Sequence, residues 1–315
     1  MITQMLRVAA VDQLTPLVTR FRFEDPEGKS LPLFSGGAHV VVEMPDGNTL
    51  RRNAYSLISD PLDGSGYEIA VRREDGGRGG SKFMHTQVAA GDVMRVSTPL
   101  NLFALDLRAR KHVLIAGGIG ITPFIAQLKQ ILRLQIPFEL HYAARSRAEA
   151  AGLTMLPDLP QINVHISDEG NRMDLGAILS GQPVGTHVYT CGPEGLIAAV
   201  DETAARLKWP GDMLHSEAFL APPPGQPFDV TIASTGQTIT VGPHESLLEA
   251  LERAEIDIDW SCRGGACGRC ETGVKSCHGR IEHHDHWLED TEKSAQQKIM
   301  PCVSRFVGQE LILDR

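Results

Sequence analysis

Cys262, Cys267 and Cys270 stand in the string Cys-Arg-Gly-Gly-Ala-Cys-Gly-Arg-Cys, with gaps of four and two residues, and Cys302 follows in a separate segment. Three thiolates on one tight loop can grip a metal cluster only if the backbone folds around it. Gly264, Gly265 and Gly268 supply that freedom and let backbone N–H groups approach the cluster sulfurs. The fourth ligand, from a distant segment, closes the shell of an iron–sulfur centre. Zinc usually takes Cys-x2-Cys pairs, so this spacing in a glycine-rich loop is unusual for it. Cys277 lies in a different register and reads as a buried or surface thiol. His283, His284 and His286 could suggest histidine ligation, but beside four well-spaced cysteines they read as an exposed polar turn.

A second constellation is of a kind that can bind phosphate. The apolar strand Val113–Ala116 runs into Gly117-Gly118-Ile119-Gly120-Ile121-Thr122-Pro123 and then a helical pattern. The glycines permit close backbone approach, Thr122 can cap the helix and Pro123 suits its first turn, so a helix N-terminus is aimed at a diphosphate. Further on, Cys191-Gly192-Pro193 ends another strand, where ligands bind in open α/β sheets. Upstream, Gly76-Gly77-Arg78-Gly79-Gly80-Ser81 offers successive N–H groups that can form an anion nest.

These groups need three kinds of scaffold. Leu17–Phe23, Tyr67–Val71 and Val93–Val96 alternate apolar and polar, no segment of the first hundred residues has a helical period, and a small antiparallel barrel over 1–105 is expected. Over 106–220, apolar strands (His112–Ala116, Phe138–Ala143, Ile162–Ile166, His187–Cys191, Asp212–Leu214) alternate with helical patterns. They predict a parallel sheet covered on both faces, with Ile125, Leu128 and Leu132 on one face of its first helix. Pro222, Pro223 and Pro224 mark a stiff linker over 221–227. From 228 to 315, a hairpin (Phe228–Ile232, Thr238–Val241) and a helix over Glu245–Ala254 precede the cysteines.

The net charge of −9, with Lys and Arg scattered, argues against a nucleic-acid surface. The longest apolar stretch is broken by glycines, Thr122 and Pro123 and does not read as a membrane span, and no signal-peptide layout is present. A cytoplasmic protein is expected, where cysteines serve as metal ligands or free thiols rather than disulfides. From Gln226 onward fifteen Asp and Glu face nine Lys and Arg, which points to partner docking through an acidic face that is sensitive to ionic strength.

The cysteine string resembles the plant-type ferredoxin signature, which implies a 2Fe–2S cluster in a β-grasp fold. Gly-Gly-Ile-Gly-Ile-Thr-Pro together with Cys-Gly-Pro resembles the pyridine-nucleotide domain of the ferredoxin reductase superfamily, and Arg52-Asn53-Ala54-Tyr55-Ser56 resembles its Arg-x-Tyr-Ser flavin motif. Arg52 stands one residue earlier than the motif requires, so Arg51, Arg52 and Asn53 are alternatives for the flavin phosphate. The order barrel, nucleotide domain, ferredoxin is similar to the phthalate dioxygenase reductase family, which includes vanillate demethylase reductases.

That resemblance implies FMN held by Arg52, Tyr55, Ser56, Val71, Arg72, Gly79, Gly80 and Ser81. It implies NADH along Gly117, Gly118, Gly120, Thr122, Pro123, Cys191, Gly192 and Pro193, with Ser56, Cys191 and Phe219 nearest the hydride-transfer site. The expected partner is the Rieske-type terminal oxygenase of a ring-hydroxylating or demethylating system, and the expected reductase is a monomer. The alternatives are a stand-alone NAD(P)H flavin or ferredoxin reductase and a redox sensor. Arg145 and Arg147 could hold a 2′-phosphate or be solvated loop charges.

Overall fold

The computed structural model of the chain describes residues 2–47, 49–219 and 224–315. It divides into two compact units, Ile2–Phe219 and the segment from Leu220 to Arg315. Among the described residues, no helix is long and apolar enough to cross a membrane.

The first unit opens with β1 (Thr3–Thr15), β2 (Val18–Glu24), β3 (Ala38–Asp46), β4 (Thr49–Ser56), β5 (Tyr67–Arg72), α1 (Gly80–Gln87), β6 (Val93–Ser97) and β7 (Leu100–Asn101). The strands form one antiparallel sheet in the order β4-β3-β6-β1-β2-β5, with β7 beside β3. Leu57 bridges to Ile69, and Ile58 N–H donates to Glu68 O at 2.8 Å, so the two edges meet and the sheet closes into the expected barrel. Inward-facing Leu6, Val8, Phe21, Phe23, Val40 and Val42 fill its interior. Burying one such side chain contributes on the order of 1.5–3 kcal/mol. The helix α1 departs from the expectation of an all-strand region. Gly80 and Met84 are its buried residues, and its two large apolar side chains, Phe83 and Met84, are adjacent in sequence and leave no period to read.

The same unit continues with β8 (Lys111–Gly117), α2 (Thr122–Leu134), β9 (Phe138–Ala144), β10 (Ile162–Ile166), α3 (Leu175–Leu179), β11 (Thr186–Cys191), α4 (Glu194–Arg206) and β12 (Leu214–Glu217). All neighbours in the sheet β10-β9-β8-β11-β12 run parallel. Chain order reverses between β8 and β11, which places a crevice at their C-terminal ends. Two expectations are corrected here. Residues 211–213 form a 3-10 turn, so the last strand begins at Leu214. Leu132 is 42% exposed, and the buried stripe of α2 is Phe124, Ile125, Leu128 and Ile131.

The second unit holds β13 (Phe228–Ile232), β14 (Thr238–Val241), α5 (Leu247–Arg253), β15 (Thr272–Glu282), α6 (Asp290–Ala295), β16 (Lys298–Ile299) and β17 (Arg305–Leu313). Its mixed sheet runs β14-β13-β17-β15-β16, with β17 parallel to β13. A capping box starts α5: Ser246 Oγ accepts from Glu249 N–H at 3.2 Å and Glu249 accepts from Ser246 N–H at 2.9 Å. Leu247, Leu248 and Leu251 are fully buried against the sheet. Residues 221–223 of the expected linker lie outside the described residues. The end of that span is tied down: Gly225 N–H donates to Pro243 O at 3.0 Å, and Arg305 donates to Gln226 O at 2.9 Å.

Candidate flavin, nucleotide and cluster sites

In β4 successive side chains point to opposite faces of the strand. Arg52 faces Glu43, its register partner on β3, and donates from Nε at 2.8 Å, while Arg95 Nε reaches the other Glu43 oxygen at 3.3 Å. Arg51 points the opposite way. Its Nε donates to Asp46 at 2.9 Å, another guanidinium nitrogen donates to the Arg78 carbonyl, and a Cβ added at Gly79 would lie 3.1 Å from its Cζ. Asn53 shares that face. A Cβ at Gly80 would lie 3.0 Å from Asn53 Cγ, and Asn53 Nδ2 donates to Tyr55 Oη at 3.2 Å. The structure therefore brings Arg51 and Asn53 to the glycine loop, with Tyr55 hydrogen-bonded to Asn53, and turns Arg52 to the opposite face of β4.

Gly79, at φ 95°, leads into α1, which has no side-chain cap and no acidic residue in its first turn. Free N–H groups at a helix start beside a guanidinium, with no room for a side chain at Gly80, fit a phosphate group. Ser81 Oγ accepts from Glu74 N–H at 3.1 Å and so braces the loop. From α1, His85 Nε2 donates to the Val71 carbonyl at 2.8 Å, and its Nδ1 lies 3.3 Å from Thr19 Oγ1. This latch between α1 and β5 carries no sequence motif. Burial pushes the Tyr55 hydroxyl up to about 12, so it stays protonated and can donate. Ser56 is buried opposite His39, whose desolvated imidazole is pushed down to about 4 and is neutral at pH 7.

The two nucleotide signals meet in space. Cys191 pairs in register with Ala116, and a Cβ at Gly192 would lie 3.0 Å from the Gly117 backbone. A Cβ at Gly120 would lie 2.7 Å from Gly192 N, so glycine is sterically required there. Thr122 is not the cap expected of it: its hydroxyl donates to Ile119 O at 3.0 Å, and the helix continues from a 3-10 turn over Gly118–Ile121. Pro123 occupies the first turn of α2 as expected. The Cys191 thiol is fully buried and pushed up by that burial and then by Glu217, its register partner on β12. A cleft beside the turn is lined by Gly118, Ile119, Ala144 and Arg145 and, from the barrel, by Val18 and Arg72. Phe219, at the end of this unit, is 47% exposed. Just beyond the C-terminal ends of β9 and β10, Arg147 donates to both Glu169 oxygens at 2.6 and 3.0 Å, and Arg145 lies 3.8 Å from Asp168.

The second unit brings the four cysteines together as two pairs, and among the described residues no three of them close into one metal-binding group. Cys262 and Cys267 are hydrogen-bonded through their thiols, as are Cys270 and Cys302. Cys267 and then the amides of Gly264, Ala266 and Cys267 together outweigh burial and hold the Cys262 thiol well below its ordinary value. The Gly264 N–H lies 3.4 Å from its Sγ. Arg269 N–H faces Cys267, and Gly265 N–H faces Cys302. Four cysteines in an amide cage fit an iron–sulfur cluster, whose thiolates and sulfides need N–H donors.

Gly265 and Gly268 have φ of 73° and 70°. Their missing side chains admit Val303, at 2.8 Å from a Cβ on Gly265, and the Trp287 ring, at 2.6 Å from one on Gly268. Arg263 clamps the loop to α5 through both Glu252 oxygens at 2.8 and 2.9 Å and stacks 4.6 Å from the Trp260 ring. Cys277 sits on β15 opposite Leu311, against the core. The expected exposed turn is corrected in part. The His283 side chain is only 7% exposed, with Nδ1 3.6 Å from buried Asp285, whereas His284 and His286 are exposed.

A phosphate cradle on a closed barrel, a glycine crevice in a parallel sheet and a four-cysteine cage define a flavin- and nucleotide-dependent reductase with its own iron–sulfur module. Family models agree along the chain: an oxidoreductase FAD-binding domain over residues 5–105, the N-terminal domain of dimethylamine monooxygenase subunit DmmA-like proteins over 96–213, and a 2Fe-2S iron-sulfur cluster binding domain over 230–307. The chain is 45% identical over 311 residues to the heme-dependent oxidative N-demethylase beta subunit of Ectopseudomonas mendocina (strain ymp), covering 98% of both chains. It is 42% identical over 314 residues to the carnitine monooxygenase reductase subunit of Escherichia coli (strain K12), covering 98% of this chain and 97% of the other. The solved structure of phthalate dioxygenase reductase matches with a TM-score of 0.88 and 32% identity, covering 99% and 98%. The chain belongs to the phthalate dioxygenase reductase family, the reductase components that carry electrons through a flavin and a 2Fe–2S cluster to an oxygenase.

Proposed function

We propose that the chain is a monomeric, NADH-dependent, FMN-containing reductase of a Rieske-type oxygenase that cleaves an N-methyl or quaternary amine. We assign 1–105 to the flavin, 106–220 to the nucleotide and 228–315 to the cluster. The observation that carries the flavin reading is the cradle of Arg51, Asn53 and the α1 N-terminus, whose guanidinium and free amides suit a terminal phosphate. When bound, the flavin accepts a hydride and releases two electrons singly, and the cluster carries them one at a time. The residues supply placement: Arg51 and Asn53 would hold the phosphate, Tyr55 would cover the ring, and the Gly117–Gly120 and Cys191–Pro193 loops would seat the nucleotide.

The purified chain should show flavin and iron–sulfur absorption that both bleach on adding NADH, and heat should release FMN. Release of FAD, or bleaching with dithionite alone, contradicts the reading. The amine class is supported by the names of the relatives, a carnitine monooxygenase reductase subunit and an oxidative N-demethylase beta subunit. The heme dependence in the latter's name favours a second reading, in which the acceptor is a haem protein. Turnover with a purified Rieske-type amine oxygenase, compared with a haem-containing N-demethylase subunit, separates the two.

The preference for NADH is supported by Glu169, which occupies Arg147, and Asp168, which faces Arg145; both carboxylates would oppose a 2′-phosphate. The double variant Asp168→Asn/Glu169→Gln is expected to raise kcat/KM for NADPH at least tenfold, since a charge-assisted hydrogen bond contributes about 1.5–3 kcal/mol. Steady-state kinetics with both nucleotides measures it, and an unchanged NADPH value places the ribose elsewhere.

A further inference from the structure

Trp287 is 49% exposed, yet its ring lies directly on Gly268, between the ligand cysteines Cys267 and Cys270. Three of the four ligand cysteines are at most 6% exposed, and Cys267 is the one that is not buried. The indole therefore stands between solvent and the least covered edge of the cluster cage.

Its position is fixed from several sides. Nε1–H donates to Glu271 Oε2 at 3.0 Å, Glu271 Oε1 pairs with Lys298 at 3.0 Å, and Lys298 pairs with Glu292 at 2.7 Å. The turn that carries Trp287 is fastened at both ends. His286 N–H donates to Gly265 O at 3.1 Å, and buried Asp285 accepts from Leu288 N–H at 2.8 Å. An exposed indole with its N–H already satisfied, held rigidly in an otherwise charged surface, loses little freedom on binding and gains contact area. A residue that only shielded the cluster would gain nothing from an exposed outer face.

We propose that Trp287 is the anchor by which the ferredoxin unit docks on its oxygenase, inserting into an apolar pocket rimmed by basic residues. The basic rim follows from the exposed Glu289 and Asp290 beside the indole and from the net −6 of residues 226–315. The same contact sets the shortest exit for an electron, through the loop that Trp287 covers. This inference rests on the reading that an oxygenase is the acceptor.

The test uses the full-length holoprotein and the variants Trp287→Ala and Trp287→Phe, with the oxygenase that the wild type reduces. Docking predicts that Trp287→Ala raises the dissociation constant measured by calorimetric titration, and the KM for oxygenase, by about thirtyfold, as at interfacial tryptophan anchors. Trp287→Phe should recover most of that loss. NADH–ferricyanide turnover and bleaching of the cluster by NADH should stay within twofold of wild type in both variants. Unchanged binding and KM in Trp287→Ala overturn the proposal. Loss of cluster absorbance at unchanged oxygenase affinity also overturns it, and makes Trp287 a cover for the cage. If the wild-type chain reduces no oxygenase of either type, the functional reading and the docking site fail together.

Discussion

The variant Cys302→Ser is expected to purify with flavin but without the cluster, and to lose electron transfer to oxygenase by more than a hundredfold while NADH–ferricyanide turnover stays within twofold. The reason lies in where the fourth thiol comes from. Cys262, Cys267 and Cys270 share one loop, whereas Cys302 arrives on the turn between β16 and β17, which is tied to α5 where Leu248 N–H donates to Pro301 O at 2.9 Å. Serine preserves the shape of the site and leaves the α5 core in place. The folding cost is that of a buried hydroxyl, about 1–3 kcal/mol, and the unit survives it. The residues proposed to hold the flavin and the nucleotide belong to the other unit. Cys277→Ser is the matched comparison. It has a similar thiol on β15, outside the cage, and should retain a full complement of iron and sulfide. Iron and sulfide analysis with the visible spectrum reads both variants. A Cys302→Ser protein that keeps two irons, or a Cys277→Ser protein that loses them, would falsify the ligand assignment.

What was legible in the sequence divides along the range of the physics. The cluster loop and the glycine turn were readable because each is local: the spacing and the glycines are the geometry. Strands such as Phe228–Ile232 and Thr238–Val241 were readable to the residue because alternation has a strict period of two. Three features were not. The helix α1 is too short and too weakly apolar to show a period, although its first-turn amides are part of the proposed phosphate cradle. Thr122 has the right type for a cap, but a preceding 3-10 turn takes over that role, and no local rule foresees the turn. Trp287 and Glu271 meet across 16 residues of chain and only the β-grasp fold joins them.

Arg51 was open to a closer reading. If Tyr55 faces the flavin, strand alternation sends Asn53 and Arg51 with it and turns Arg52 away. A flavin motif matched by residue type drew attention to Arg52, while the pleat selects its neighbour.

That choice yields the second large effect. Arg51→Ala is expected to weaken flavin binding by roughly ten- to a hundredfold, because a guanidinium–phosphate contact contributes about 1.5–3 kcal/mol. The protein should then lose flavin on gel filtration and regain activity when FMN is added in excess. Arg52→Ala should behave differently. Its partner Glu43 keeps Arg95 at 3.3 Å, so the carboxylate is not stranded, although the Arg52–Glu43 pair is largely buried. Losing that charge-assisted hydrogen bond costs about 1.5–3 kcal/mol of stability, so melting should fall while full flavin is retained. Asp46 refines the contrast. It accepts from Arg51 Nε at 2.9 Å and aims the guanidinium toward Arg78 and Gly79, so Asp46→Asn should weaken flavin retention modestly with the charge of Arg51 intact. Fluorescence titration of the apoprotein with FMN ranks the three variants. Should Arg52→Ala release flavin while Arg51→Ala holds it, the phosphate lies on the opposite face of β4 and the cradle at α1 serves another purpose.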